Sequence, residues 1–300
     1  MVLEIDKLNV KFHLEPIVVK AVRDVSLKIK RECLALIGES GSGKSVLGMS
    51  ILRILPENAK VEGKIIFEGK NLLELKEKEM RKIRGSRISW IPQNPATSLN
   101  PVLKVGFQVS EAMIEHGIGK NFAFEKTLKL FDSLSLRPAE EKAKNYPCEL
   151  SGGMKQRVLV CMGISNDPDL IIADEPTKGI DVVKRNAVAK LFQKLKDVSS
   201  LLLITHDLRF AEKLADRVAV MYCGQVLEIR DADEFFKEPL HPYSKALLNS
   251  LPPKLVPIKG SSPSMVNPPK GCSFHERCDY VKEICREEVP NGEIKCWLYA

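Results

Sequence analysis

The sequence predicts an α/β fold in which helices cover both faces of a mostly parallel sheet. The first third of the chain contains short strand-like runs, such as CLALI at residues 33–37 and GKIIFEGK at residues 63–70. Residues 104–163 show mostly helical periodicity. After residue 168, apolar strand-like runs alternate with helical segments, and this alternation is typical of a parallel sheet.

The overall composition is that of an ordinary globular protein. Of the 300 residues, 44% are hydrophobic and 28% are charged, and the formal net charge is +7. The first residues, MVLEIDKLNVKF, lack the basic start and apolar run of a signal peptide. No apolar run approaches the length that spans a bilayer. We therefore expect a cytosolic chain whose cysteines do not form structural disulfides.

The segment GESGSGKS at residues 38–45 fits the phosphate-loop pattern G-x-x-x-x-G-K-[ST]. A strand-like run precedes it and a helical run follows it, which makes a chance Gly-rich turn the weaker interpretation. We predict that Lys44 reaches the β and γ phosphates of a nucleotide and that the Ser45 hydroxyl ligates Mg²⁺. The glycines free the backbone to direct N–H groups at phosphate. The candidate residues of the loop itself are Gly38, Ser40, Gly41, Ser42 and Gly43.

The segment DLIIADEP at residues 169–176 supplies the second part of the nucleotide site. Its apolar run predicts a buried strand, and Asp174 at the strand end is a candidate to hold Mg²⁺. Glu175 follows directly and is a candidate general base for the attacking water. Alone, such a pair would be read as surface acids after a core strand. Together with the phosphate loop it predicts nucleotide hydrolysis.

The segment ELSGGMKQRV at residues 149–158 resembles the signature sequence of ABC ATPases. The resemblance extends over nearly the whole chain, because other family motifs occur in the family's order. It implies that Gln93 in WIPQNP (the Q-loop) ligates Mg²⁺ and relays to the permease. It also identifies Asp181 in PTKGID as the D-loop residue and His206 in ITHD as the switch histidine. It also implies that nucleotide contacts the signature residues Ser151, Gly152, Gly153 and Met154.

The resemblance implies a P-loop NTPase core with an antiparallel β subdomain, an inserted helical subdomain and a small Cys-rich C-terminal extension. We assign residues 1–92 and 164–232 to the ATP-binding core, 93–163 to the helical signature subdomain and 233–300 to the extension. In this family two cassettes dimerise head to tail, so that the signature of one completes the ATP site of the other. His206 would contact the γ-phosphate. Phe12 is the candidate that stacks on adenine, with the adjacent His13 as the alternative.

Two further segments resemble the ATPases of dipeptide, oligopeptide and nickel importers. These are IPQNPATSLNPVLKVG at residues 91–106 and HPYSKALLNSLP at residues 241–252. The resemblance implies two membrane permease subunits, an extracytoplasmic substrate-binding protein and a peripheral position on the cytoplasmic face of the cell membrane. We expect peptide as the cargo, with nickel as the alternative.

The D-loop departs from the group's usual Thr-Ala-Leu-Asp pattern, since this chain has TKGID at residues 177–181. This difference favours a heterodimer with a second ABC ATPase subunit. A soluble non-transport ABC ATPase acting on nucleic acid or the ribosome is the alternative from a different class. The chain lacks the long coiled coils or second cassette typical of that class, and its basic residues are scattered. We therefore expect no nucleic-acid partner.

Four of the eight cysteines, Cys272, Cys278, Cys285 and Cys296, lie close to the end of the chain with the spacing C-x5-C-x6-C-x10-C. The spacing leaves open a zinc site, an iron–sulfur cluster or free thiols, although zinc sites usually contain closer pairs. The resemblance to peptide-importer ATPases implies a cluster of the four-iron (4Fe-4S) type, and zinc remains the alternative.

Overall fold

The computed structural model describes residues 1–177 and 182–300, with the backbone alone for residues 182–185 and 187. The chain divides into two compact units: residues 1–74 with 203–300, and residues 75–202. No helix in the described part of the chain is both long and apolar enough to cross a bilayer. The sequence-based division into core, helical subdomain and extension stays a prediction.

The regular elements follow the predicted change from strands to helices and then to alternation. The strands are β1 (Leu3–Leu14), β2 (Ile17–Ile29), β3 (Cys33–Ile37), β4 (Ala59–Phe67), β5 (Lys70–Asn71), β6 (Ile88–Ile91), β7 (Leu170–Asp174), β8 (Ser200–Thr205), β9 (Arg217–Tyr222) and β10 (Gln225–Asp231). The α-helices are α1 (Lys44–Ile51), α2 (Glu77–Arg81), α3 (Pro95–Ser98), α4 (Val105–Ile114), α5 (Lys120–Ser133), α6 (Ala139–Lys144), α7 (Gly152–Ile164), α8 (Val182–Lys196), α9 (Leu208–Leu214), α10 (Ala232–Lys237) and α11 (Pro242–Asn249). Short 3₁₀ turns occupy Leu72–Glu74, Pro147–Glu149, His275–Arg277 and Glu283–Arg286.

In the first unit, β1, β2, β4 and β5 form an antiparallel sheet in the order β2-β1-β4-β5. The buried side chains of β1 change from odd positions (Leu3, Ile5) to even positions (Leu8, Val10). The register with β2 shifts at the same place, and Lys7 has a φ of 48°. An extra residue in one strand reverses the side-chain alternation, which is the action of a β-bulge.

The same unit contains the strand that leads into the phosphate loop. Every residue of β3 is buried, as expected for a strand covered on both faces. It pairs with β9 in parallel, and β9 pairs with β10 in antiparallel orientation. Because β3 and β9 are parallel, the carboxyl end of β3, and hence the loop, lies on the side of the sheet where the carboxyl ends of both strands meet.

In the second unit, β6 and β7 are parallel neighbours, with Ile91 opposite Ala173. Helices α4 to α7 pack against one another through apolar side chains that include Val109, Met113 and Phe131. At Gly106 in α4, an added Cβ would lie 2.6 Å from Cβ of Ala143 in α6. The close approach of the two helices therefore requires glycine at this position.

Backbone hydrogen bonds join the C-terminal extension to the strands of the first unit, to which it belongs. Ile229 N–H donates to the carbonyl of Glu293 (2.7 Å), and Lys295 N–H donates to that of Leu227 (2.9 Å), so this segment lies along β10. The Pro-rich segment at residues 256–271 forms no helix or strand. Even so, its Met265 carbonyl accepts a hydrogen bond from Lys20 N–H in β2 (2.9 Å).

Candidate functional site

The phosphate loop joins β3 to α1, and its path depends on two glycines. Gly38 has a φ of 148°, and an added Cβ would lie 2.0 Å from the Met221 carbonyl oxygen. Gly43 has a φ of 101°, and an added Cβ would lie 2.2 Å from the Ala21 carbonyl oxygen. Both positions combine a left-handed backbone with contact against a neighbouring strand, so only glycine fits. Gly41 has a φ of 77° and open space around it.

The Lys44 ammonium lies inside this loop. Its Nζ donates to the carbonyl oxygens of Gly38 (2.9 Å) and Glu39 (2.8 Å) and lies 3.3 Å from the Ser42 hydroxyl. The side chain is buried. A buried ammonium held by loop oxygens is directed at the space that the loop encloses, where a phosphate group would meet its charge. Ser45 follows in the first turn of α1.

The second unit contains the predicted carboxylates and the Q-loop residue. Asp174 is the last residue of β7, Glu175 follows it, and both are buried. Gln93 lies two residues after β6, the parallel neighbour of β7. The carboxyl ends of neighbouring parallel strands meet at one edge, so the register brings the ends that carry these residues together. Glu175 has a φ of 48°, a left-handed conformation that is uncommon for a residue with a side chain.

The signature segment forms the start of a long helix in the second unit. Ser151 is the N-cap of α7, and its hydroxyl accepts a hydrogen bond from Met154 N–H at 3.4 Å. Gly152 and Gly153 make the first turn, and Ser151 and Gly152 are exposed. The N-terminus of a 13-residue helix carries partial positive charge, which suits contact with an anion.

The other residues predicted for the nucleotide site lie in separate parts of the chain. His206 follows β8 directly and is exposed. Phe12 is in β1, between Val19 of β2 and Ala59 of β4, and is partly exposed; the adjacent His13 is exposed. Both positions remain available for adenine stacking. Asp181 lies outside the described residues.

All four terminal cysteines line one cavity in the first unit. His241 and Lys295 line the same cavity. Burial raises the pKa of the Cys272 thiol to about 12, and it also raises the pKa of Cys278 and Cys296. All eight cysteines, each within the described residues, are free thiols. In the described part of the chain, no group of three or more His, Cys, Asp or Glu side chains is arranged to hold a metal ion.

Comparison with known protein families decides the class. Residues 22–178, just over half of the chain, match the family model described as ABC transporter. This chain belongs to the ABC transporter family. Residues 227–285 of this ABC protein also match the model described as the oligopeptide/dipeptide transporter C-terminal region. The predicted resemblance is therefore confirmed, and with it the prediction that the chain hydrolyses ATP.

Individual relatives agree with the family models. The ABC chain is 42% identical to a dipeptide transport ATP-binding protein of Bacillus subtilis, over 99% of this chain and 94% of that protein. It is 41% identical to an oligopeptide transport ATP-binding protein of the same organism, over 99% and 88% of the two chains. Among solved structures, a dimeric ATP-binding cassette bound to ADP and Pi superposes with a TM-score of 0.68 at 25% identity. It covers 77% of this chain and 98% of its own. The predicted α/β fold of an ABC ATPase is confirmed.

The fold also brings to the two sites of this ABC protein residues that no sequence pattern singles out. His241 is the first residue of HPYSKALLNSLP, and the sequence alone predicts no role for it. Its Nδ1 accepts a hydrogen bond from Tyr243 N–H (3.1 Å), which leaves the proton of the neutral ring on Nε2, 3.7 Å from Cys272 Sγ. Burial lowers the pKa of His241 to about 3. Glu39 and Arg277 could not be recognised from the sequence either. Glu39 occupies a variable position of the phosphate-loop pattern, and Arg277 lies outside the family motifs.

Proposed function

We propose that this chain is the ATP-hydrolysing subunit that energises an importer for dipeptides or oligopeptides. The observation that carries the cargo assignment is the match of residues 227–285 to the oligopeptide/dipeptide transporter C-terminal region. The two Bacillus subtilis relatives are named for dipeptide and oligopeptide transport. Both observations favour peptide over nickel and favour transport over a role on nucleic acid.

The proposed chemistry assigns each residue one task. Lys44 neutralises the β and γ phosphates, and the N–H groups of the loop orient them. Ser45, Gln93 and Asp174 would hold Mg²⁺, which would supply positive charge to offset the charge that develops on the departing ADP. Glu175 accepts the proton of the attacking water, and His206 orients the γ-phosphate. The buried ammonium of Lys44 and the buried carboxylates of Asp174 and Glu175 support these assignments.

The proposed assembly is a pair of cassettes on a membrane complex. Ser151, Gly152, Gly153 and Met154 contact the nucleotide of the partner cassette, and Asp181 contributes at the interface. The exposed start of α7 supports this role, as does the dimeric form of the solved cassette. The partner is a second ABC ATPase subunit, and the pair works with two permease subunits and an extracytoplasmic substrate-binding protein. The complex holds this chain on the cytoplasmic face of the membrane.

We also propose that Cys272, Cys278, Cys285 and Cys296 hold a 4Fe-4S cluster. The common cavity supports this assignment, since the thiols surround one space. A single zinc ion needs four sulfurs at about 2.3 Å from one point. No such arrangement occurs among the described residues, so the choice of cluster rests on the resemblance of this tail to the Cys-rich end of peptide-importer ATPases. Bound to four thiolates, the cluster would stabilise a tail that has few buried apolar residues of its own.

Transport by the purified complex tests the proposed function. The chain is co-expressed with the permease subunits that co-purify with it and reconstituted in vesicles with the substrate-binding protein. ATP-dependent accumulation of a labelled dipeptide or short oligopeptide, absent with Glu175→Gln, is the expected result. Accumulation of nickel without peptide would overturn the cargo assignment. ATPase activity that requires DNA or RNA would overturn the transport assignment.

A further inference from the structure

An ion pair joins the C-terminal segment, residues 233–300, to the phosphate loop. Arg277 Nη1 donates to both carboxylate oxygens of Glu39, at 3.1 and 3.3 Å. The Arg277 side chain is 7% exposed and that of Glu39 is 26% exposed. Arg277 directly precedes Cys278, and Glu39 is the second residue of GESGSGKS. The pair therefore joins the cysteine-rich segment to the loop of the same unit.

Glu39 is held at its backbone as well as at its carboxylate. Its N–H donates to the Tyr243 hydroxyl at 2.9 Å, and its carbonyl accepts from Lys44 Nζ at 2.8 Å. The Ser262 hydroxyl donates to the same carboxylate that Arg277 binds. A displacement of Glu39 would therefore move one of the oxygens that orient the Lys44 ammonium. Tyr243, Ser262 and Arg277, which make three of these contacts, all come after β10 and lie outside the phosphate-loop motif.

Other groups hold the Arg277 guanidinium in place, so Arg277 can fix the position of the Glu39 carboxylate. Its Nε donates to the Lys259 carbonyl (2.6 Å), and its Nη1 also donates to the Tyr222 hydroxyl (2.9 Å). The guanidinium carbon lies 5.7 Å from the ring centre of Tyr222 and 5.8 Å from that of Phe274. Planar stacking and several donors leave the guanidinium little freedom, whereas a lysine would contact Glu39 as a mobile point charge.

We propose that Arg277 is a positioning residue for ATP binding: by holding the Glu39 carboxylate, it fixes the loop backbone whose carbonyls orient Lys44. The C-terminal segment thus sets the nucleotide affinity of the same chain. The inference rests on ATP binding at this loop and is independent of the cargo. This role differs from simple anchoring of the segment, because Arg277 affects ATP binding only through the Glu39 carboxylate.

Arg23 provides a matched control for anchoring. It also binds the C-terminal segment, donating to the Pro269 carbonyl (2.7 Å) and the Ser273 hydroxyl (2.9 Å). It donates as well to the Cys223 carbonyl (3.3 Å). These hydrogen bonds hold the segment without involving the Glu39 carboxylate. Arg23→Met should therefore loosen the segment while leaving the affinity for ATP unchanged.

The test measures the dissociation constant for ATP by calorimetry on the full chain, with Arg277→Met, Glu39→Gln and the double variant. Arg277→Met should raise the constant by about tenfold, the effect of losing one charge-assisted hydrogen bond. The double variant should bind no more weakly than Arg277→Met alone, because both changes remove the same interaction. Arg277→Lys should restore part of the affinity.

Two outcomes would overturn the proposal. One is a double variant whose loss equals the product of the two single losses, which would mean independent effects. The other is an equal loss with Arg23→Met, which would mean general anchoring. If Arg277→Met does not fold, Glu39→Gln decides alone, since it keeps the side-chain shape and removes the charge. Unchanged affinity in that variant would then reject the role of Arg277. Wild-type ATP binding in the same titration tests the nucleotide site separately.

Discussion

The Nζ of Lys44 donates a hydrogen bond of 2.9 Å to the carbonyl oxygen of Gly38, the first residue of the phosphate loop. Backbone oxygens of the loop itself thus position the ammonium. A charge that is already oriented loses less conformational entropy when ligand binds.

Replacing Lys44 should therefore abolish most of the nucleotide affinity. Lys44→Ala removes the positive charge that faces the phosphates, and we expect the dissociation constant for ATP to rise by about a hundredfold, as for a lost buried charge pair. Calorimetric titration measures this. Lys70→Ala, which changes an exposed lysine of β5, is the control and should bind as the wild type does. Equal affinity in the two variants would argue against the phosphate-loop assignment.

Glu175→Gln should separate binding from hydrolysis. The amide cannot accept the proton of the attacking water, so turnover should fall by at least about a hundredfold, the usual contribution of a general base. ATP binding should persist, because the shape of the side chain is retained. Phosphate release and nucleotide retention on the purified complex measure the two properties. Glu141→Gln, at an exposed position of α6, should leave both unchanged. Rapid hydrolysis by Glu175→Gln would remove this residue as the base.

Gly43→Ala should destabilise the loop and with it the first unit. The new Cβ would lie 2.2 Å from the Ala21 carbonyl oxygen, on a backbone with a φ of 101°. We expect the free energy of unfolding to fall by about 2 kcal/mol or more, from strain and overpacking together. Denaturant unfolding measures the change. Gly119→Ala is the control, because Gly119 has a φ of −61° and open space around it. Equal stability of the two variants would contradict the observed close contact.

His241→Gln should weaken the packing of the C-terminal segment. The buried ring accepts the Tyr243 N–H and directs Nε2 towards Cys272. Glutamine lacks the ring that packs edge-on against Phe274 and that holds the Nδ1 acceptor in place, and a buried hydrogen bond that is lost costs about 1–3 kcal/mol, so the denaturation midpoint should fall. His13→Gln, at an exposed position, should not change it. A midpoint equal to that of the wild type would contradict this role of the imidazole ring.

Metal analysis tests the cysteine assignment. Protein purified without oxygen should contain iron and acid-labile sulfide, with about four of each per chain for the proposed cluster. Cys278→Ser should lose both, whereas Cys148→Ser, which alters an exposed cysteine outside the cavity, should retain them. Zinc near one per chain without sulfide would replace the cluster by a single-ion site. Protein with no metal would contradict both assignments.

The sequence by itself determined the features that depend on neighbouring residues. The phosphate loop could be recognised because Gly38 to Ser45 are contiguous, and their glycines, lysine and serine act over a few bonds. The strands CLALI and LIIAD could be predicted for the same reason, since composition and periodicity are local. Family resemblance then supplied the order of the motifs.

Only the tertiary structure decided the relationships between distant positions. Glu39 and Arg277 are 238 residues apart, and no local pattern pairs them. The spacing of the four cysteines left zinc, cluster and free thiols open, whereas the fold brought all four, with His241, around one cavity. The reason is physical: a contact between remote residues depends on how strands and loops pack, and many side chains set that packing jointly. The charge of Glu39 could be read from the sequence, but its partner could not.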